Sequence, residues 1–393
     1  MSDLNYTPIP KVTLDNYKSP QKRKGQNENL SIGLAISGGG SRAEYFGFGV
    51  LIGLDELAYS NNANSSFLNE VDYISTVSGG GLGVGYYLSL KKHLVLDDYN
   101  SLLSFWNSDL RRDTLSSYLY ESASLVNLIK LRRLERTGKS DFPGRLDYEV
   151  LQEGKSYKNK RIDRLYLGDF IIEKKSNVDV KFPMFVVNGT IFNNNERIPF
   201  MPHIVDYLKI DGALMPYEPF ENLNKGFGFP LNHAMVSSNS FPGILPIPKY
   251  RVKGSDEVIR IVDGGVVENF GYKTLFELLN ADKNNNDKKR ALIVDCSGEI
   301  DGNQYEENER VKLAKLLPSA LFYTLSTRYL PSNENIKELA NFYDYDPDNI
   351  KRIGFSTIKE KFLAENAIAN QAALDDLKIV RDLLIKELSL IHI

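Results

Sequence analysis

A chain of 393 residues with a formal net charge of −3, 42% hydrophobic and 25% charged, has the composition of a globular protein able to bury a sizeable core. One cysteine, Cys296, excludes an intrachain disulfide; with only four histidines there is no basis for a Cys-rich zinc site, and the near-neutral balance gives no general affinity for nucleic acid. No apolar run reaches the length of about 18 residues that a membrane span requires, and the first 30 residues contain no apolar leader, so the expected location is the cytoplasm.

Residues 1–30 lack apolar periodicity and read as an extended arm. Ser31 to Ser37 (SIGLAIS) is a buried-strand candidate that runs into Gly38-Gly39-Gly40-Ser41-Arg42, after which Phe46, Val50, Leu54 and Leu57 recur at helical spacing. A second buried strand, Val71 to Val77, runs into Ser78-Gly79-Gly80-Gly81 and a helix over Leu82 to Leu94. Together they make a βαβ unit with parallel strands. The stretch of about 100–170 reads as a helical insertion, with a basic segment, Leu128 to Lys139, that suits either an anionic membrane surface or a solvated charged face. Phe182 to Val187, Val258 to Val262 and Ala291 to Asp295 are further strands, and residues 299–393 read as a helical extension on the same domain. Strands alternating with helices predict a three-layer α/β/α domain over 31–298 with a central, mostly parallel sheet.

Ligands of such sheets sit beyond the carboxyl ends of the strands, and here two consecutive strands end in glycine-rich turns that should lie side by side. The second turn has the character of a nucleophile elbow at Ser78, although Thr76 occupies the place where G-x-S-x-G has its first glycine. The alternative is a glycine-rich helix start capped by Ser78. The first turn offers the backbone N–H groups of Gly39 and Gly40 at a helix N-terminus, where a tetrahedral oxyanion would be stabilised. It also satisfies the dinucleotide pattern G-x-G-x-x-A through Ala43, yet the next strand ends in Val77-Ser78, where that pattern wants an acid. No histidine stands in a favourable place to serve the serine, since only His392 follows His233. A carboxylate acting directly is the other option. Asp263, at a strand end before Gly264-Gly265, is the candidate, and Asp295 is its rival; a strand-end aspartate can equally be a cap or a loop anchor.

Taken together, Gly38-Gly39-Gly40-Ser41-Arg42, Ser78 in its SGGG turn, Asp263-Gly264-Gly265 and Ser238-Asn239-Ser240-Phe241-Pro242-Gly243 resemble the patatin-like phospholipase family. The resemblance implies a patatin-like fold and a lipid acyl hydrolase that needs no metal or other cofactor. It assigns Ser78 as nucleophile, Asp263 as base and Gly39 and Gly40 as oxyanion donors, with Arg42, Gly79 and Gly264 next to the substrate. The implied partners are a phospholipid or other lipid ester and the membrane periphery, not nucleic acid. The competing expectation is a catalytically silent lipid- or membrane-binding module. His233 reads as a hydrogen-bonded structural group, and Leu377 to Leu388 as a helix face packed on the body.

Overall fold

The computed structural model describes residues 26–94, 156–170, 182–213, 228–296 and 350–354, apart from short breaks within those ranges. In chain order the strands are β1 (Leu30–Ile36), β2 (Ala58–Tyr59), β3 (Asn62–Ser66), β4 (Val71–Val77), β5 (Ser156–Tyr157), β6 (Lys160–Arg161), β7 (Met184–Ile191), β8 (Glu196–Phe200), β9 (Ile210–Ala213), β10 (Lys249–Val252), β11 (Val258–Asp263), β12 (Lys288–Asp295) and β13 (Ile350–Gly354). The helices are α1 (Ser41–Glu56), α2 (Phe67–Glu70), α3 (Gly79–Leu94), α4 (Pro202–Tyr207), α5 (Leu231–Asn239) and α6 (Tyr272–Ala281). The basic segment Leu128 to Lys139, the arm up to residue 25 and the Leu377 to Leu388 face lie outside the described residues, as does most of the 299–393 extension.

Among the described residues nine strands form one sheet in the order β13-β12-β1-β4-β7-β11-β10-β9, with β8 on the other edge of β7. The five from β13 to β7 are mutually parallel, and β11, β10 and β9 continue the sheet antiparallel. β4 is buried along its whole length and β1 nearly so, as a strand covered on both faces is. Neighbouring residues of β4 show the two faces. Ser75 Oγ donates to the carbonyl of Gly271 at the head of α6, whereas Thr76 Oγ1 turns towards Gly81 of α3. Helices therefore cover both sides of the sheet, α1 and α3 on one and α6 on the other.

Two features depart from the sequence reading. α1 and α3 start about three residues earlier than apolar spacing indicates, because the glycines are part of the packing. A Cβ at Gly79 would fall 2.0 Å from the Gly40 carbonyl oxygen and one at Gly83 2.2 Å from that of Glu44, so only glycine lets these two helices approach so closely. The extension read as helical supplies the edge strand β13, paired in parallel with β12.

The junction at β7 decides where the site forms. Asn188 pairs with Val77 of β4 and with Pro199 of β8, and the next residue, Gly189, pairs with Asp263 of β11 and with Ile198 of β8. β8 occupies one edge of β7 over this stretch, so β4 and β11 must share the other. They run in opposite directions along it and meet with their carboxyl ends facing, which brings the residue after Val77 against Asp263.

Candidate active site

That residue is Ser78, whose φ of 51° lies in the left-handed region that non-glycine residues seldom occupy. Three contacts hold it there. Its N–H donates to Ser238 Oγ at 2.8 Å, and Ser238 Oγ in turn donates to the Asn188 carbonyl at 2.5 Å. Its carbonyl accepts from Asn239 Nδ2 at 3.2 Å. The hydroxyl donates to Asp263 Oδ2 at 2.7 Å, with Asn239 Oδ1 a distant second acceptor at 3.4 Å. A serine spent on capping α3 would instead accept an N–H of that helix; here its oxygen is turned to a carboxylate.

Asp263 is 4% exposed, and its second oxygen accepts the Gly265 N–H at 2.8 Å. One carboxylate oxygen thus caps the short 3-10 turn Gly264–Val266, and the other faces the serine. Burial raises its pKa to about 6, against the opposing pull of the hydrogen bonds from Ser78 and Gly265. Loss of water thus moves this carboxylate from the ordinary aspartate value, near 3.9, towards the range in which a general base can work.

The first glycine turn lies beside the elbow because β1 and β4 are neighbours. Gly38 donates its N–H to the Asn269 carbonyl at 2.8 Å and is thereby committed to structure. Among the described residues nothing accepts from the N–H of Gly39 or Gly40, and both residues are partly exposed. Gly40, at φ 63° and ψ −146°, precedes α1 without a side-chain cap, so the first N–H groups of that helix face the same space. The Arg42 side chain lies outside the described residues.

Asp295 ends β12, on the far side of β1 from β4 and two strand spacings, about 10 Å, from the elbow. His233 is buried on α5 with its ring against those of Phe229 and Tyr250, and burial lowers its pKa to about 4, leaving it neutral. Gly264 packs against the Asn188 carbonyl, which a Cβ there would approach to 2.3 Å, and Gly79 packs against Gly40. Thr76 fits where the elbow pattern has glycine because the opposing residue, Gly81, leaves room, its would-be Cβ 3.0 Å from Thr76 Oγ1. Asn188 and Asn269 escaped the sequence reading. An asparagine inside the buried run MFVVNGTI was the visible sign of the first: its Nδ2 donates to Ser75 Oγ and the Thr76 carbonyl, both at 2.9 Å, tying β7 to β4 below the elbow.

Residues 34–276 match the family model described as patatin-like phospholipase. The chain belongs to the patatin-like phospholipase family. Over 97 residues it is 36% identical to Lysophospholipase 2 of Candida albicans, covering 22% of this chain and 16% of that protein. Among solved structures, it is similar to human GIVD cytosolic phospholipase A2, at 11% identity and a TM-score of 0.39, over 69% of this chain and 43% of that one. It is also similar to VipD from Legionella pneumophila, at 13% identity and a TM-score of 0.34, over 98% of this chain and 72% of the other. The chain thus spans less than half of the first two proteins.

Proposed function

We propose that this protein hydrolyses carboxylic ester bonds of lipids through a Ser78–Asp263 dyad and an acyl-enzyme. The observation that carries the reading is the 2.7 Å hydrogen bond from an elbow serine to a buried, weakly acidic carboxylate, facing a loop with open N–H groups. Ser78 Oγ adds to the ester carbonyl carbon as its proton passes to Asp263 Oδ2, and the carbonyl π pair moves onto oxygen. Gly39 and Gly40 N–H donate to that oxyanion, helped by the N-terminus of α1. Collapse expels the alcohol, which takes the proton from Asp263. Water then attacks the acyl-enzyme with Asp263 again as base, and the fatty acid leaves as Ser78 Oγ takes the proton back from Asp263.

Family membership and the lysophospholipase relative support lipid esters as the substrate class. No helix among the described residues is long and apolar enough to cross a membrane, so a lipid substrate would be met at its interface. A fluorophosphonate probe tests the reading. It should label the wild-type protein and not Ser78→Ala, and kcat/KM on a short-chain ester should rise with pH through about 6 as Asp263 ionises. Absence of labelling, with vesicle binding intact, would leave the silent lipid-binding module. Assay of phospholipids, lysophospholipids and neutral esters would set the substrate.

A further inference from the structure

The parallel half of the sheet carries helices on both faces, whereas β10 and β11 alternate between a buried and an exposed face. Tyr250, Ile259 and Ile261 are buried, with α5 packed on β11, and Arg251 and Arg260 stand on the opposite, solvent side. Pairing sets what else lies on that side. Lys249 is directly opposite Arg260 across the two strands, and Phe192, the residue after β7, donates its N–H to the Arg260 carbonyl from the other edge of β11. Phe192 is 53% exposed. Phe192, Arg260 and Lys249 thus form a row across three strands, with Arg251 two residues beyond Lys249 on the same face. Asp211 reaches Arg251 at 4.0 Å, between two exposed side chains, a pairing worth little.

The row lies on the side towards which the candidate site opens. β7 is parallel to β4, pairs its Asn188 with Val77, and then runs on past the end of β4 to Ile191 and Phe192. Arg260 stands three residues, about 10 Å, outward from Asp263 along β11. A solvated outer face is ordinary in an antiparallel sheet, but it does not call for this composition. Like charges directly opposite each other weaken a strand pair, so an acid facing Arg260 would serve the fold better than Lys249 does. An aromatic ring half in water likewise adds little to the core. Cations set around an exposed ring complement a surface that is anionic and has an apolar interior.

We propose that this strip is where the protein meets an anionic lipid bilayer, with Lys249, Arg251 and Arg260 against the phosphate groups and Phe192 at the head-group boundary. The proposal rests on the reading that the substrate is a lipid ester, and it sets the mouth of the site facing the bilayer.

Co-sedimentation of the full chain with vesicles tests it, using phosphatidylcholine alone and an equal mixture of phosphatidylcholine and phosphatidylglycerol. Wild type should bind the mixture more tightly at low salt. The double variant Lys249→Gln, Arg260→Gln should bind it roughly 30-fold more weakly, about fivefold for each cation, and the difference should close in high salt. Phe192→Ser should weaken binding to both kinds of vesicle. Arg260→Glu turns the like-charged pair into an opposite-charged one, so a protein that keeps its fold should still lose the anionic vesicles. All the variants should cleave a soluble short-chain ester as wild type does. Equal binding of both vesicles by wild type, wild-type binding by the double variant, or a matching loss on the soluble ester would overturn the proposal. Fluorophosphonate labelling separates the two readings. Labelling of Ser78 with vesicle binding unchanged in the variants defeats the strip alone, and variant-sensitive vesicle binding without labelling defeats the acyl-enzyme alone.

Discussion

The two halves of the sheet contribute to the site in different ways. In the parallel half, β1 and β4 deliver the glycine loop and Ser78 as neighbouring strand-to-helix turns, an arrangement that follows from parallel pairing and needs nothing else. In the antiparallel half, β11 runs the other way and reaches the site only because it continues the edge of β7 that β4 leaves vacant, with consecutive β7 residues pairing Val77 and Asp263. On the proposed mechanism, nucleophile and donors thus belong to one half and the base to the other, and the join is a buried polar seam. The Ser78 hydroxyl crosses it to Asp263, while Ser238 links Ser78 N–H to the Asn188 carbonyl within the parallel half. Asp263 is buried at the end of a strand paired within the sheet, and burial is what raises its pKa.

If the halves act as one catalytic unit, losing either contribution is equally severe. Ser78→Ala and Asp263→Ala should each lower kcat/KM on a short-chain ester by roughly 10⁴-fold or more, measured on protein with a wild-type circular dichroism spectrum. A mild effect from either would break the comparison. Within the parallel half, Gly40→Ala probes the donor loop without a clash, since nothing lies within 4 Å of the added methyl group and the obstacle is the backbone conformation alone. Turnover should drop roughly 10²–10³-fold in a folded protein.

The antiparallel half has a signature in stability. The pKa of Asp263 is raised on folding from 3.8 to about 6, so its ionisation disfavours the folded state. The cost is absent below the unfolded value, grows as pH rises between the two, and is complete above about 6. Asp263→Asn should therefore stabilise the inactive protein at pH 8, by on the order of 2–3 kcal/mol, with the gain fading as pH falls towards 4. Thermal melts across that range would show it. The smallest effect belongs to Asp295→Asn, at the end of β12, where ester turnover should stay close to wild type.

Much of the parallel half was legible in the sequence because a strand covered on both faces is rich in apolar and β-branched residues without strict alternation, and SIGLAIS, VDYISTV and ALIVD stand out for that reason. Their glycine turns were legible too, since strand, glycines and helical spacing follow in order. The antiparallel half was harder to read. β9 (IDGA) and β10 (KYRV) are four-residue strands with little apolar pattern, and β11 carries the same kind of apolar run whichever way it points. Direction is set by pairing across the chain, so Asp263 could be named from its Asp-Gly-Gly turn while its meeting with Ser78 along β7 could not be derived. Asn269 left no periodic trace, because its place depends on Gly38 and Gly265, whose missing side chains leave room for its amide oxygen.

A double-mutant cycle across the junction tests the central claim most directly: kcat/KM for wild type, Ser78→Ala, Asp263→Asn and the double variant on one soluble ester. Groups acting in a single proton-transfer step give a double variant hardly slower than the worse single one. Losses that multiply would mean that Ser78 and Asp263 contribute independently, and that their 2.7 Å hydrogen bond is structural.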